Sequence, residues 1–302
     1  MKYVLSGSLG HINKPLTQKL IAAGHDVTVI SSHEKRTAEI EALGAKAAIG
    51  SVEDTGFLTE TFKGADAVFA LIPPPVTEPA DWKARIHQIG KNFADAVKAA
   101  GVKKVVQLSS IGAHMPTGCG PVSGIHFAEL EFDKLEGVDV LKLRPGYFYT
   151  NLLAMIGMVK HAGIYGNNFG ADATVVFVHP RDIAEVAAEE LLGLKFTGKS
   201  IRYIAGDEKN SKEITAALGA AIGKPELPYV AFTDEQSTEG AVQAGVPAEL
   251  ARNFTEMGAA IRSGEMIADY LQHKPILSPT KLEDFAKEFA AAYVGPAVAA
   301  AH

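Results

Sequence analysis

The chain has 302 residues, of which 47% are hydrophobic and 21% are charged, and its formal net charge is −6. This composition is typical of a globular protein in water, and the negative balance argues against a general nucleic-acid binder, whose phosphate contacts need an excess of Lys and Arg. The single cysteine, Cys119, excludes an internal disulfide and a cysteine cluster for metal, so a cytoplasmic location is expected. The first apolar run is too short for a signal peptide or a membrane span, and no membrane association is expected.

The first predicted elements form a β-α-β unit. A strand over residues 3–5 leads through Gly7 and Gly10 into a helix with Ile12, Leu16 and Leu20 on one face, and a second strand follows over 27–30. Such a unit points the first backbone N–H groups of its helix at the strand ends, where a pyrophosphate can bind. We expect the turn to contact a dinucleotide through Gly7, Ser8, Leu9, Gly10, His11 and Ile12.

The dinucleotide fingerprint of this unit is incomplete. Its third glycine is replaced by Asn13, which weakens the motif without removing the phosphate site, because that glycine mainly permits close packing of helix and strand. The alternative is an ordinary glycine-rich turn of an α/β protein.

Apolar runs continue to alternate with helical patterns as far as residue 143. Strands are predicted over 47–49, 67–72, 105–108 and 140–143, and helices over 37–43, 55–62, 82–99 and 127–135. This alternation predicts an α/β fold with a Rossmann-type, doubly wound parallel sheet covered by helices on both faces. Ligands of such sheets bind beyond the carboxyl ends of the strands.

The regular alternation ends after residue 143. A segment rich in Gly, Asn and aromatic residues precedes a strand over 175–178, a helix over 182–192 and a last core strand over 201–204; Ala-rich helices follow over 211–222, 238–244, 247–263 and 282–292. We therefore predict a Rossmann domain over 1–146 and 174–206 that binds NAD(P), and a smaller, mainly helical substrate-binding cap over 147–173 and 207–295. A mobile tail is predicted over 296–302.

The residues after the second strand bear on which dinucleotide binds. An acidic residue there would bind the ribose 2′-hydroxyl and favour NAD, but the chain has Ser31 and Ser32, followed by Lys35 and Arg36. Neutral donors with two cations suit a 2′-phosphate, so NADP(H) is the preferred cofactor and NAD(H) stays open; the alternative is a solvated charge cluster at a helix start. The strand ends expected along the rest of the dinucleotide are Leu71, Ile72, Pro73, Ser109 and Ser110.

Several motifs together resemble the NmrA-like branch of the atypical short-chain dehydrogenases/reductases. They are GSLGH (7–11), GADAVF (64–69), LSSIGA (108–113), LRPGYFYTN (143–151) and FVHPRDIA (177–184). Within that branch, AGVP (244–247) and SGE (263–265) are similar to the NAD(P)H-dependent quinone and triphenylmethane-dye reductases. The resemblance implies a Rossmann-type sheet, NADP(H) as the usual cofactor, and hydride transfer to a quinone-like acceptor. The family often has arginine at the position of Ser32, so Lys35 or Arg36 would have to replace it here.

The residues that ordinary short-chain dehydrogenases use for proton transfer are missing. Those enzymes have a serine at a strand end and a Tyr-x-x-x-Lys on the next helix. Ser110 holds the serine position, but His126 and Leu130 stand where tyrosine and lysine would be, and the literal match at Tyr270 and Lys274 is interpreted as chance. Reducing a ketone needs a placed acid, whereas hydride transfer to a quinone or a cationic dye can draw its proton from water.

Two residues are candidates for a catalytic role. His126 could polarise a substrate oxygen, or it could be a structural hydrogen-bonding residue. Tyr147 follows the strand that ends at residue 143, on the side where nicotinamide and substrate should meet, and it could instead pack in the cap. Its neighbours Pro145 and Phe148 are expected, with Tyr147, to contact the cofactor. The ten histidines show no ligand spacing, so no metal is predicted.

The sequence leaves two main hypotheses for function. The first is an NAD(P)H-dependent oxidoreductase that transfers hydride to a quinone-like or other conjugated small-molecule acceptor. The second is a catalytically silent, NADP(H)-binding sensor that acts through a protein partner. An epimerase is less compatible with the chain, because such enzymes usually keep the tyrosine and lysine. A homodimer is left open.

Overall fold

The computed structural model describes residues 1–73 and 81–295, so the tail predicted over 296–302 lies outside the described residues. The strands, in chain order, are β1 (Lys2–Leu5), β2 (Asp26–Ser31), β3 (Lys46–Ile49), β4 (Ala67–Leu71), β5 (Lys104–Leu108), β6 (Asp139–Pro145), β7 (Tyr147–Phe148), β8 (Tyr165–Asn167), β9 (Val175–Val178), β10 (Lys199–Ile204), β11 (Asp207–Lys209) and β12 (Tyr229–Ala231).

The α-helices, in chain order, are α1 (Asn13–Ala22), α2 (Thr37–Ala42), α3 (Thr55–Phe62), α4 (Trp82–Ala100), α5 (Val122–Asp133), α6 (Ile156–His161), α7 (Pro180–Gly193), α8 (Ser211–Ala221), α9 (Asp234–Gln243), α10 (Ala248–Ser263), α11 (Ala268–Gln272) and α12 (Leu282–Val294). Short 3₁₀ segments occur at Glu34–Arg36, Tyr149–Met155 and Glu265–Ile267. Within residues 1–73 and 81–295, no helix is both long and apolar enough to cross a membrane.

The main sheet confirms the predicted Rossmann-type α/β fold. Its seven strands run parallel in the order β10-β6-β5-β4-β1-β2-β3. The chain leaves β1 on one side to form β2 and later returns to the other side of β1 to form β4. The strand order therefore reverses at β1, and in doubly wound sheets ligands bind in the crevice outside the carboxyl ends at this point.

Residues of β1 face both sides of the sheet, which explains its uninterrupted apolar run. Tyr3 and Leu5 pack with Leu16 of α1 in one core layer. Val4, between them, packs with Phe93 of α4 in the other layer. Helices thus bury the strands from both sides, as expected for a parallel sheet.

A third apolar core lies outside the main sheet. Its centre is Tyr149, whose ring stacks on Phe177 and Phe285 with centroids 5.0 Å and 5.4 Å away. Phe177 belongs to β9, which pairs with β7 and β11 in a separate three-stranded sheet instead of joining the main one. Residues assigned to the Rossmann domain and to the cap share this core, and the division into these two domains stays a prediction.

Two helices begin at least four residues earlier than predicted. α5 begins at residue 122 rather than 127, because Pro121, with φ of −62°, prepares the backbone for the first turn. α9 begins at residue 234 rather than 238, because the Thr233 side chain accepts a hydrogen bond from the backbone N–H of Gln236 and caps the helix. Small and polar residues in both first turns have the composition of a loop, so the predicted starts are wrong.

Candidate cofactor and substrate site

A cleft of about 380 Å³ lies beyond the carboxyl ends of β1, β4 and β5. The predicted cofactor residues that line it are Gly7, Gly10, His11, Ile12, Leu71, Ile72, Pro73, Ser109, Ser110 and Phe148. The predicted residues that do not line it are Ser8, Leu9, Ser31, Ser32, Lys35, Arg36, Pro145 and Tyr147. The fold thus brings the glycine turn and the ends of three strands to one cleft, although these residues are far apart in the chain.

The two glycines of the turn have different roles. Gly7 has a φ of +102°, and a Cβ on it would lie 2.7 Å from Cδ2 of Leu71, so the fold itself requires glycine there. A Cβ on Gly10 would meet no atom within 4 Å. Gly10 therefore leaves space that the protein does not fill, at the point where a dinucleotide phosphate would approach the backbone.

The start of α1 suits an anion. Its N-cap residue, Ile12, makes no side-chain cap, and the first turn contains no acidic residue. The first intrahelical bond of the turn runs from the N–H of Lys14 to the carbonyl of Gly10 over 3.1 Å, and the amides before it have no partner inside the helix. Unpaired amides and the helix dipole together favour a phosphate at this end.

The region predicted for the 2′-phosphate lies beside this turn. The hydroxyl of Ser8 donates to that of Ser31 over 3.2 Å, which connects the glycine turn to the end of β2. Arg36 forms an ion pair of 2.6 Å with Glu39, which also holds Lys14 at 3.4 Å. Hydrogen bonds from Arg36 and Lys14 hold the pKa of the Glu39 carboxyl below its usual value. Arg36 is thus already engaged with a carboxylate, whereas Lys35 forms no ion pair within the described part of the chain.

A buried charged network stands behind the serines at the end of β5. Glu129 of α5 accepts a hydrogen bond from the hydroxyl of Ser109, and it accepts two more from Arg144 of β6, at 3.0 Å from Nε and 2.6 Å from Nη2. Burial disfavours the charged guanidinium, but the hydrogen bond and charge of Glu129 outweigh it and raise the pKa of Arg144. Glu129 is 4% exposed, Ser109 7% and Arg144 5%.

Arg144 is held from its other side as well. Its Nη1 donates to the Tyr203 hydroxyl at 3.1 Å and to the Asp269 carboxylate at 3.0 Å. Asp269 and Tyr203 line a larger cavity of about 590 Å³ at the edge strand β10, away from the glycine turn. We did not predict this network from the sequence, although Arg144 alternates with apolar residues in a strand covered on both faces, and a buried cation there requires a buried partner.

The two candidate catalytic residues do not line the cleft. Nδ1 of His126 lies 2.8 Å from the carbonyl of Ala113. The Tyr147 ring packs edge-on against Phe169 and Phe177, at 5.9 Å and 5.8 Å, and burial raises its pKa to about 12. Their catalytic roles stay predictions.

The Tyr-x-x-x-Lys match in the C-terminal part also lies outside the cleft. The hydroxyl of Tyr270 donates to Glu208 over 2.7 Å, and Lys274 bonds to the same carboxylate over 2.8 Å. Both side chains are therefore engaged with a structural partner. In α5, Leu130 at the lysine position is 42% exposed.

One wall of the cleft is apolar and was missed by the sequence analysis. It comes from α4 and α5 and consists of Trp82, Ile86, Val122 and Ile125, with Phe148 beside it. The two helices touch closely, because a Cβ on Gly90 would lie 2.4 Å from that of Ala128, and a Cβ on Gly124 would lie 2.8 Å from the carbonyl of Lys83. This wall suits a flat apolar ligand. In the described residues, no group of three or more His, Cys, Asp or Glu could hold a metal ion.

Comparison with known proteins agrees with this geometry. Residues 7–150 match the model of a family described as NAD(P)H-binding. A (4-alkanoyl-5-oxo-2,5-dihydrofuran-3-yl)methyl phosphate reductase of Streptomyces griseus is 26% identical over 261 residues, covering 86% of this chain and 87% of the relative. An NAD(P)H azoreductase of Xenophilus azovorans is 27% identical over 292 residues, covering 95% and 97%.

Solved structures show the same fold. An NADPH-dependent quinone oxidoreductase of Escherichia coli, complexed with NADPH, superimposes with a TM-score of 0.80 at 19% identity, over 95% of this chain and 99% of the other. The family match and the names of the two curated relatives, both reductases, agree with the resemblance inferred from the sequence motifs. The family match also agrees with NAD(P)H as the cofactor.

Proposed function

We propose that this chain, with its NAD(P)H-binding domain over residues 7–150, is a reductase that transfers hydride to a flat, conjugated small-molecule acceptor such as a quinone. The observation that carries the proposal is the composition of the cleft. One end has the glycine turn and the start of α1, and the other has the apolar wall of α4 and α5. Among the described residues that line it, His11 at the turn is the only titratable one.

The residues present fit a dinucleotide. The space at Gly10 and the uncapped start of α1 would take the diphosphate, and Ser109, Ser110 and Phe148 would lie along the nicotinamide half. When bound, the cofactor supplies a hydride from its nicotinamide ring. The protein contributes binding and orientation, and the wall around Trp82 keeps water from one side of the acceptor.

The presence of His126 and Leu130 at the tyrosine and lysine positions supports this reaction type. Hydride transfer to a ketone would leave a localised oxyanion that needs a placed acid. A quinone-like acceptor spreads that charge over its ring and can take its proton from water. The names of the two curated relatives, one an azoreductase and the other a reductase of an oxo-dihydrofuran phosphate, support reduction of a conjugated acceptor.

We further propose NADP(H) as the preferred cofactor and residues 147–173 and 207–295 as the substrate-binding cap. Lys35 follows Ser31 and Ser32 closely in the chain and forms no ion pair with the described residues, which supports the first point. Phe254 of α10 supports the second, because its ring packs edge-on against Trp82 at 5.5 Å and so connects the C-terminal helices to the apolar wall.

The test is oxidation of NADPH and NADH by the purified protein, measured at 340 nm against a panel of quinones, azo dyes and triphenylmethane dyes. We expect turnover with at least one class and a lower KM for NADPH than for NADH. Absence of turnover above background with both cofactors, in a protein that binds them, would reject the reductase.

A second candidate is a sensor of the NADP⁺/NADPH ratio that acts through a protein partner. The replacement of the tyrosine and lysine by His126 and Leu130 also favours it. It requires cofactor binding without turnover, together with a change in hydrogen exchange of the C-terminal helices when NADPH replaces NADP⁺. The turnover assay above separates the two candidates.

A further inference from the structure

The hydroxyl proton of Ser109 is committed to the protein interior. Its Oγ donates to Oε1 of Glu129, and Arg144 donates to both oxygens of that carboxylate. An ionised carboxylate is only an acceptor, so the direction of the Ser109 bond is fixed. Hydrogen bonds to Tyr203 and Asp269 fix the position of the Arg144 guanidinium. Because Glu129 is bonded to this fixed group, its carboxylate keeps its orientation towards Ser109.

Ser109 therefore shows only lone pairs to the cleft that it lines. The neighbouring hydroxyl, that of Ser110, is also used internally, since it donates to the carbonyl of Ile111 over 2.9 Å. A ligand group that meets these two hydroxyls must consequently bring its own N–H or O–H donor. A carbonyl or an oxyanion placed there would face an acceptor.

The nicotinamide carboxamide carries such a donor, its NH₂ group. In a doubly wound sheet the nicotinamide half of a dinucleotide extends from the first strand across the crevice towards β4 and β5. We propose that Ser109 accepts a hydrogen bond from the carboxamide NH₂ of the nicotinamide, and that Glu129 is a positioning residue that gives Ser109 this acceptor role. This inference rests on the proposed function, because it assumes that the nicotinamide half lies in this cleft.

Holding the carboxamide would fix the rotation of the nicotinamide ring. One face of the ring would then be presented to the apolar wall of Trp82 and Ile125, where the acceptor would lie. The pair of Glu129 and Arg144 would thus act on hydride transfer only through Ser109, without contact with the cofactor.

The test compares cofactors that differ only in the carboxamide. Dissociation constants are measured by fluorescence titration, without acceptor, for NADPH, for its 3-acetylpyridine analogue, in which CH₃ replaces NH₂, and for its nicotinic acid analogue, in which a carboxylate replaces the amide. We expect the wild type to bind NADPH about 3- to 10-fold more tightly than the acetylpyridine analogue, as one hydrogen bond is lost. The nicotinic acid analogue should bind least, because its carboxylate would face the lone pairs of Ser109 and has no proton to donate to them.

Variants separate the roles of the residues. Ser109→Ala should weaken the binding of NADPH alone, so the ratio of the affinities for NADPH and the acetylpyridine analogue should fall to about 1. The matched Ser110→Ala should keep the wild-type affinity ratio. In Glu129→Gln, the new side-chain amide can donate to Oγ of Ser109, so the hydroxyl proton is free to point into the cleft. This variant should also bind NADPH and the acetylpyridine analogue about equally, although it keeps the Ser109 hydroxyl. If Glu129→Gln does not fold, the order of the wild-type affinities for the three cofactors tests the acceptor role of Ser109.

Equal affinities of the wild type for NADPH and the acetylpyridine analogue would overturn this inference and leave the proposed function standing. Loss of the ratio in Ser110→Ala but not in Ser109→Ala would also overturn it. Failure of every nicotinamide dinucleotide to bind would instead reject the dinucleotide site itself, and with it both proposals.

Discussion

The side-chain amide of Asn13 donates a hydrogen bond of 2.6 Å to the backbone carbonyl of Ser6. Ser6 directly follows β1 and Asn13 is the first residue of α1, so this bond closes the turn that contains Gly7 and Gly10. Asn13 stands where the dinucleotide fingerprint has its third glycine, and it is only 1% exposed. The departure from the fingerprint is therefore a structural tie between strand and helix.

Asn13→Ala should lower the free energy of unfolding by about 1–3 kcal/mol, because it leaves a buried carbonyl without its partner. Urea denaturation measures the change. Gln18→Ala, at an exposed position on the same helix, is the control and should change stability by less than about 0.5 kcal/mol. Equal effects of the two substitutions would contradict the structural role of the amide.

Alanine at the two glycines should separate folding from binding. Gly7→Ala places a Cβ 2.7 Å from Leu71 at a positive φ and should destabilise the protein by roughly 1–3 kcal/mol. Gly10→Ala has free space in the protein and should keep its stability, but it should weaken NADPH binding about tenfold or more. If Gly10→Ala bound NADPH with wild-type affinity, the phosphate would have to bind elsewhere.

The cationic side chains that follow β2 should determine the preference for NADPH over NADH. Lys35→Ala should weaken the binding of NADPH about tenfold and leave the binding of NADH unchanged, because only NADPH carries the 2′-phosphate. Glu39→Gln releases Arg36 and Lys14 from their shared carboxylate and should raise the preference for NADPH. Titrations at two salt concentrations measure both effects, with Lys63→Ala as the control cation. A parallel loss of NADH affinity in Lys35→Ala would point to another role.

Cys119 should report on unfolding at alkaline pH. Burial, helped by the charge of Glu256, raises the pKa of its thiol from 9.0 to about 12. The unfolded chain thus loses this proton first, and stability that is complete below pH 9 should fall between about pH 9 and 12, by at most about 1.4 kcal/mol per pH unit. In Cys119→Ala the decline should begin later, above about pH 10, where Tyr147 contributes because its pKa is raised to about 12.

Thiol labelling gives the complementary measurement. At pH 8 the native protein should not react with a thiol reagent, since Cys119 is fully buried, and the urea-unfolded chain should take up one label. Rapid labelling of the native protein would show that this region opens.

The pH dependence of turnover tests the candidate histidine. In the described residues, His11 is the only titratable side chain that lines the cleft, and it lies at the phosphate end, so kcat with a quinone at saturating NADPH should be nearly constant between pH 6 and 8. A step in this range that disappears in His126→Ala would instead establish the catalytic role that the sequence suggested. Tyr147→Phe addresses the second candidate in the same assay.

The sheet could be predicted from the sequence for a specific reason. Strands such as β1, buried on both faces, must be apolar at every position, and helices such as α1 show a regular stripe, so both leave a local pattern. The start of α5 leaves none, because Ser123 and Gly124 in its first turn are residue types that are common in loops. The pattern of β9 likewise predicts a strand, but it does not indicate which strands β9 pairs with.

The candidate site divides in the same way. The glycine turn is contiguous in the chain and could be identified, whereas the wall of Trp82 and Ile125 exists only once two helices pack together. The bond between Ser109 and Glu129 joins residues twenty positions apart on different elements. Contacts of this kind depend on the distances in the folded chain, so periodicity and motifs do not contain them.

The close contact of α4 and α5 at Gly90 and Gly124 has an evolutionary consequence. Two positions without side chains set the spacing of these helices, while other positions on them supply the surface that would meet an acceptor. Selection could therefore exchange Trp82, Ile86 or Ile125 for other shapes and leave the frame intact. In proteins that descend from this scaffold, we would expect the choice of acceptor to change sooner than the mode of cofactor binding.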